Sequence, residues 1–216
     1  MQAADGEFYG TATYGGVGSS GSIFRITRGG AFSTVYSFRC SAGGCADGVF
    51  PNSGLIQASD GNFYGTTANG GGNQKGDHGG TIFKVTPRGT LTTLHVFCAH
   101  LCPGIGPVAG LVQAPDGIFY GTFEAGEGAI FSLSVGLGPF VKPQPTFGKP
   151  GSVVQILGTN LSGASRVTFN GTAAAFRVVS SSLIMATVPA GATNGEIQVV
   201  TPSGTLAGDV PFVVWP

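Results

Sequence analysis

The sequence predicts an all-β protein, and three observations carry that expectation. One motif recurs three times with a period of about 55 residues. The runs around it are short, rich in aromatic and β-branched residues, and free of helical periodicity. Glycine supplies 39 of 216 residues while charged residues make up only 9%, the composition of a chain dense in tight turns. With 16 Phe and 5 Tyr among 42% hydrophobic residues, there is ample material for a core, which argues against disorder. Glycine follows no three-residue period, so a collagen helix is excluded. Ten basic and ten acidic residues balance, leaving no whole-chain field to recruit nucleic acid or an anionic membrane. No run approaches the ~20 apolar residues of a membrane-spanning helix, so no membrane insertion is expected of this chain.

Self-similarity is the strongest signal in the chain. Asp5-Gly6-Glu7-Phe8-Tyr9-Gly10-Thr11 returns as Asp60-Gly61-Asn62-Phe63-Tyr64-Gly65-Thr66 and as Asp116-Gly117-Ile118-Phe119-Tyr120-Gly121-Thr122. A matching stretch precedes each Asp: Met1-Gln2-Ala3-Ala4, Gly54-Leu55-Ile56-Gln57-Ala58-Ser59 and Gly110-Leu111-Val112-Gln113-Ala114-Pro115. A second echo follows as Ile23-Phe24, Ile82-Phe83 and Ile130-Phe131. In the middle unit, strands are expected over Leu55–Ser59, Asn62–Thr67, Thr81–Thr86 and Thr90–Phe97. The Asp60-Gly61 turn joins the first two, because Gly accepts the positive φ of a tight hairpin. Pro87-Arg88-Gly89 joins the last two.

Four antiparallel strands per unit make a propeller blade the natural element; a β-solenoid coil is the alternative, disfavoured because both turns are hairpins. The expected architecture is a partial propeller-like array over residues 1–135, in units 1–53, 54–109 and 110–135, the first and last incomplete. Three blades fall short of the roughly four to eight that close a ring. A fragment, or an assembly completed by another molecule, is therefore expected. The start, Met1-Gln2-Ala3-Ala4, lacks the basic and apolar stretches of an export signal.

The blade reading also sorts the loops. The hairpin turns are short and repetitive, whereas Ala12–Ser22, Thr67–Gly80 and Phe123–Gly128 vary and emerge on the opposite face. Variable loops on a regular scaffold are where binding sites gather. Asn73, Lys75, Asp77 and His78 form the most polar cluster there, with Glu124 and Glu127 in the next unit's loop. These six are the candidate ligand-binding residues. Two carboxylates across a groove could cleave a glycoside, but solvated loop charges are the preferred reading, and no catalytic residue is assigned.

Cys40/Cys45 and Cys98/Cys102 lie in the connections between units. His95 and His100 beside the second pair allow a zinc reading. The first pair has no such neighbours, so disulfides are preferred, and with them an oxidising compartment. Asp5, Asp60 and Asp116 are read as turn residues rather than calcium ligands, since no series of alternating oxygen donors follows. No metal or cofactor is expected. In each Phe-Tyr-Gly triplet, alternation puts the two rings on opposite strand faces. One ring is expected to pack between units, with Gly65 permitting close approach of a neighbouring unit.

After Val135 the repeat stops, and residues 136–150 read as a Gly/Pro-rich linker. Short strands resume over Val153–Leu157, Arg166–Phe169, Ala174–Val179, Leu183–Val188, Glu196–Val200 and Val210–Val214. That spacing suggests an Ig-like sandwich over residues 151–216, or from as early as 139. Pro139–Lys142 is an alternative candidate for the missing last strand of the third unit.

Two resemblances join this reading. Pro150–Leu161, Val167-Thr168-Phe169-Asn170-Gly171-Thr172 and Ala186-Thr187-Val188-Pro189-Ala190-Gly191 closely resemble the IPT/TIG domain family. The three units resemble the GloVer tandem repeats of bacterial choice-of-anchor surface proteins, sharing the Gln-x-x-Asp-Gly-x-Phe-Tyr-Gly-Thr pattern. The resemblances imply an exported, cell-surface or secreted bacterial protein. IPT/TIG domains serve in surface receptors, as spacers in carbohydrate-active enzymes and in DNA-binding factors. The last use needs basic loops, and after Gly151 only Arg166 and Arg177 are basic. The expectation is a non-enzymatic binding or adhesion module for a polysaccharide or surface protein, with the Ig-like domain as spacer. The alternative is the non-catalytic C-terminal part of a secreted polysaccharide-active enzyme.

Overall fold

The computed structural model describes residues 1–42, 44–72, 78–98, 105–107, 109–124 and 128–216, with backbone alone at residues 78, 98, 105 and 124. Its described elements are all strands, in two compact units: residues 1–113 with 119–133, and residues 114–118 with 134–216.

In the first unit, repeat one forms β1 (Phe8–Ala12), β2 (Ser22–Ile26) and β3 (Phe32–Ser37), an antiparallel sheet in chain order. Its expected first strand is reduced to one bridge, Gln2 to Phe8. Repeat two shows the complete unit: β4 (Ile56–Gln57), β5 (Phe63–Thr67), β6 (His78–Val85) and β7 (Leu91–Cys98), again in chain order. In repeat three, β8 (Ile105–Pro107) and β9 (Val112–Gln113) both pair with β10 (Phe119–Glu124), which also pairs with β11 (Ala129–Leu133). Sequence patterning placed no strand at β8, because its Ile-Gly-Pro sequence reads as loop.

The Asp-Gly turns explain their own recurrence. Gly6, Gly61 and Gly117 hold φ of +80°, +77° and +89°, a region closed to most side chains. Asp5, Asp60 and Asp116 each accept the N–H two residues on, from Glu7, Asn62 and Ile118, at 2.9, 3.1 and 2.9 Å. In the first two repeats the other carboxylate oxygen accepts the Tyr9 or Tyr64 hydroxyl, each at 3.0 Å. Turn geometry and a buried tyrosine thus both depend on the one aspartate.

Alternation along β5 uses both faces of the strand. Phe63 meets Tyr9 of repeat one at 4.2 Å between ring centres, and Tyr64 meets Phe119 of repeat three at 4.4 Å. The Phe63-Tyr64 pair therefore serves two neighbours, where only one of the rings was expected between units. Bonds from backbone to side chain tie the same junctions: Ala4 N–H donates to Gln57 Oε1 at 2.8 Å, and Ser59 N–H to Gln113 Oε1 at 2.9 Å. The core of the first two repeats gathers Tyr9, Ile23, Phe38, Leu55, Phe63, Phe83 and Val85.

Gly65 does not admit a neighbouring repeat as expected. A Cβ there would lie 2.6 Å from Cζ of Phe83, its own cross-strand partner. Gly10 and Gly121 stand in the same relation to Phe24 and Phe131. The glycine is a slot for the Phe of the Ile-Phe echo within one repeat.

In the second unit, β12 (Lys142–Gln144), β13 (Phe147–Gly148), β14 (Val153–Leu157), β15 (Arg166–Phe169) and β16 (Thr172–Ala173) are followed by β17 (Phe176–Ser180) and β18 (Leu183–Thr187). β19 (Ile197–Thr201), β20 (Gly204–Ala207) and β21 (Val213–Val214) complete it. Sheets β12-β14-β18-β17 and β16-β15-β19-β20 enclose a core of Val154, Ile156, Val167, Phe169, Ile184, Val199 and Phe212 among others. This is an Ig-like sandwich. Residues 136–150, Gly/Pro-rich in sequence, contain β12 and β13, and Phe140 and Val141 are buried. Pro143 is tolerated because β12 is an edge strand and needs no outward N–H. Pro139–Lys142 does not complete repeat three: Val141 bridges Gly208, and Lys142 pairs with Leu157.

Candidate functional site

The loops opposite the Asp-Gly turns are drawn together by the connection between repeats one and two. Phe50 sits at its centre. Its N–H donates to Ser20 O at 2.9 Å, and its carbonyl accepts from Ala68 N–H at 3.1 Å. One residue thus ties the β1–β2 loop of repeat one to the β5–β6 loop of repeat two. Val49 and Asn69 exchange both backbone bonds, at 2.8 and 3.2 Å. Phe50 holds a φ of +58°, a left-handed conformation that costs a bulky residue about 1–2 kcal/mol. The surrounding bonds hold it there.

Beneath this brace lies a buried hydroxyl network. Thr67 and Thr81 hydroxyls meet at 2.9 Å, and Thr81 Oγ1 donates to Asp47 O at 3.1 Å. Ser53 and Thr66 hydroxyls meet at 2.8 Å. The Tyr36 hydroxyl, from β3, donates to Asp47 Oδ2. Burial first, then that bond, pushes the Tyr36 phenol upward, and Asp60 acts likewise on Tyr64. The neutral phenols are thus favoured in the folded chain. Stability from these groups is present below the ordinary tyrosine value of 10.0 and lost as pH rises above it. A urea midpoint flat up to about pH 10 and falling beyond it is expected. Phenolate absorbance from Tyr36 and Tyr64 at the ordinary tyrosine value would contradict this.

The outer surface of the brace carries Tyr14, 74% exposed, with its ring 5.6 Å from that of Phe50 and tilted by 59°. Arg39, Asn52 and Asn69 are exposed on the same connection and loop. Cys40 and Cys45 form a disulfide that closes the tip of the connection, where Ser41 and Gly44 also bridge. Cys98 ends β7, and Cys102 lies outside the described residues.

Of the loop residues singled out from sequence, Asn73, Lys75, Asp77 and Glu127 lie outside the described residues. His78 begins β6 and pairs in register with Cys98; Glu124 ends β10 opposite Ile105. Sequence reasoning passed over Tyr14 and Phe50. The available signal was one aromatic inside an otherwise small-residue loop, Thr13-Tyr14-Gly15-Gly16. Among the described residues no group of three or more His, Cys, Asp or Glu is placed to hold a metal ion. Among the same residues no helix is long and apolar enough to cross a membrane.

Comparison with known proteins adds the following. Residues 1–177 match the Gloeobacter/Verrucomicrobia repeat, and residues 141–214 match the IPT/TIG domain. No curated protein matches the chain. Among solved structures, an auxiliary nutrient binding protein from Bacteroides ovatus is 23% identical over 35% of this chain and 20% of its own, with a TM-score of 0.32. The gamma-CGTase of an alkalophilic Bacillus clarkii is 18% identical over 62% of this chain and 17% of its own, at 0.31. SGBP-B of the Bacteroides ovatus mixed-linkage glucan utilization locus, in complex with a mixed-linkage heptasaccharide, is 12% identical over 97% of this chain and 60% of its own, at 0.29. This chain therefore spans less than two thirds of the length of each. The three Asp-Gly-x-Phe-Tyr-Gly-Thr units and the match over residues 1–177 place the chain in the Gloeobacter/Verrucomicrobia repeat family.

Proposed function

We propose that the chain is a non-enzymatic binding module of an extracellular or cell-surface bacterial protein. Its repeats over residues 1–135 act as propeller-blade-like elements that present a loop face to carbohydrate, with the Ig-like domain as spacer. The observation that carries the reading is the exposed Tyr14 ring set against Phe50 on a backbone-braced connection. A flat ring held by a rigid support offers its face to the C–H edges of a sugar ring at small entropic cost. Exposed amides at Asn52 and Asn69, and the guanidinium of Arg39, supply hydrogen-bonding groups for hydroxyls. Asn73, Lys75, Asp77, His78, Glu124 and Glu127 border this face in the proposal. The Cys40–Cys45 disulfide supports an oxidising compartment.

A depletion panel of insoluble and soluble polysaccharides tests the proposal, with the supernatant assayed for released oligosaccharides. Retention on at least one polysaccharide without products is expected. Tyr14→Ala, a surface change that leaves stability within about 0.5 kcal/mol, is expected to weaken retention about tenfold, the loss of one aromatic contact. Released products, or retention indifferent to Tyr14→Ala, would overturn it.

A further inference from the structure

Each junction between repeats is built from the same parts, and one set of those parts stands open. Across β4–β7, Phe63, Val85 and Leu91 share one cross-strand row. Phe63 and Val85 are buried in the core with Tyr9 and Ile23 of repeat one, and Leu91 and Val35 pack against it. The equivalent row in repeat one is Phe8, Ile26 and Phe32. There Phe8 is 46% and Phe32 64% exposed, against 1% for Phe63 and 0% for Phe119.

The polar part of the junction is open in the same place. Gln57 donates from Nε2 to Gly61 O at 3.0 Å and accepts Ala4 N–H on Oε1. Gln2 makes the same inward bond to Gly6 O, at 3.1 Å, which turns its carboxamide as Gln57 is turned. No described residue donates to Gln2 Oε1. The open edge thus repeats a junction that the chain uses twice elsewhere.

We infer that the Phe8–Ile26–Phe32 row, with Gln2, is a docking face for a further tandem repeat of the same class. That repeat would seat its Asp-Gly turn tyrosine on Phe8. It would donate the N–H preceding its turn aspartate to Gln2 Oε1. Sequence disfavours a second copy of this chain as the occupant. The residue preceding the turn aspartate in repeat three is Pro115, where repeats one and two carry Ala4 and Ser59. Proline has no N–H to donate. Tyr120, the ring a second copy would offer, is 38% exposed, whereas Tyr9 and Tyr64 are held by Asp5 and Asp60.

The test joins residues 54–109, followed by Gly-Leu, ahead of Met1 of the full chain, so that repeat two's sequence precedes repeat one in its natural register. Stability in repeat arrays grows with each nearest-neighbour interface. The unfolding midpoint is therefore expected to rise by several degrees. Amide exchange over Phe8–Ala12 is expected to slow by at least about tenfold. Phe8→Asp is expected to leave the unextended chain's midpoint unchanged and to abolish the extended chain's gain. An unchanged midpoint with the added repeat open to protease would overturn the inference, as would a gain indifferent to Phe8→Asp. Concentration-dependent self-association of the unextended chain that Phe8→Asp abolishes would overturn it in favour of a second copy.

Discussion

Replacing Phe63 by alanine is expected to lower the stability of the repeat unit by about 3–5 kcal/mol, the range for truncating a fully buried aromatic. Phe63 is one of the largest fully buried side chains, and it stacks on Tyr9 across a junction. Its loss leaves a cavity lined by Tyr9, Ile23 and Val85, all of the same core. Those side chains belong to strands fixed by hydrogen-bonded ladders, so little collapse into the void is available. Tyr9 loses its ring partner while its hydroxyl stays tethered to Asp5. Urea unfolding followed by far-UV circular dichroism reads the loss as a lower midpoint. Because Phe63 joins two repeats, the variant is also expected to unfold repeat one ahead of the rest.

The second large effect is steric. Gly65→Ala puts a Cβ 2.6 Å from Cζ of Phe83 and 2.9 Å from Cδ2 of Leu55. Phe83 is fully buried, and its ring cannot swing away without opening the core. Overpacking of this kind costs about 1–3 kcal/mol, and the absence of free volume puts this site at the upper end. Gly61→Ala is the useful contrast. Nothing lies within 4 Å of its Cβ, but its φ is +77°, so its cost of about 1 kcal/mol is backbone strain alone. Pairing each with Phe83→Leu separates the causes. The smaller side chain is expected to relieve Gly65→Ala and leave Gly61→Ala unaffected, and equal responses would contradict the slot assignment.

The parts of the fold that could be read from sequence are those in which cause and effect lie close along the chain. Asp60-Gly61 announces its hairpin because the same two residues make the turn and its side-chain bond. Cys40 and Cys45 were legible as disulfide cysteines, whereas their pairing with each other, rather than with the next connection's cysteines, is seen only in the structure. Alternation showed that Phe63 and Tyr64 face opposite ways, but not that each has an aromatic partner about 55 residues away. The role of Gly65 was misplaced because a missing side chain signals close approach without naming what approaches. Composition marked residues 136–150 as a linker, and Pro143 reinforced that impression. Phe140 is nevertheless buried and Val141 enters the Ig-like core, because an edge strand tolerates proline. The candidate site was the least legible part. Charge drew attention to Asp77 and Glu127, whereas the described brace rests on Phe50, whose importance lies in backbone bonds to two loops distant in sequence.

The most direct test of the stacked-repeat account is one substitution, Phe→Ala, made in turn at the equivalent positions 8, 63 and 119, with the urea midpoint measured for each. The account predicts large losses at Phe63 and Phe119, which are enclosed by Tyr9 and Tyr64. At Phe8, whose face is open, it predicts a loss of no more than about 1 kcal/mol. Equal losses at all three positions would show that the motif phenylalanine stabilises its own repeat rather than the junction, and the stacking account would fall.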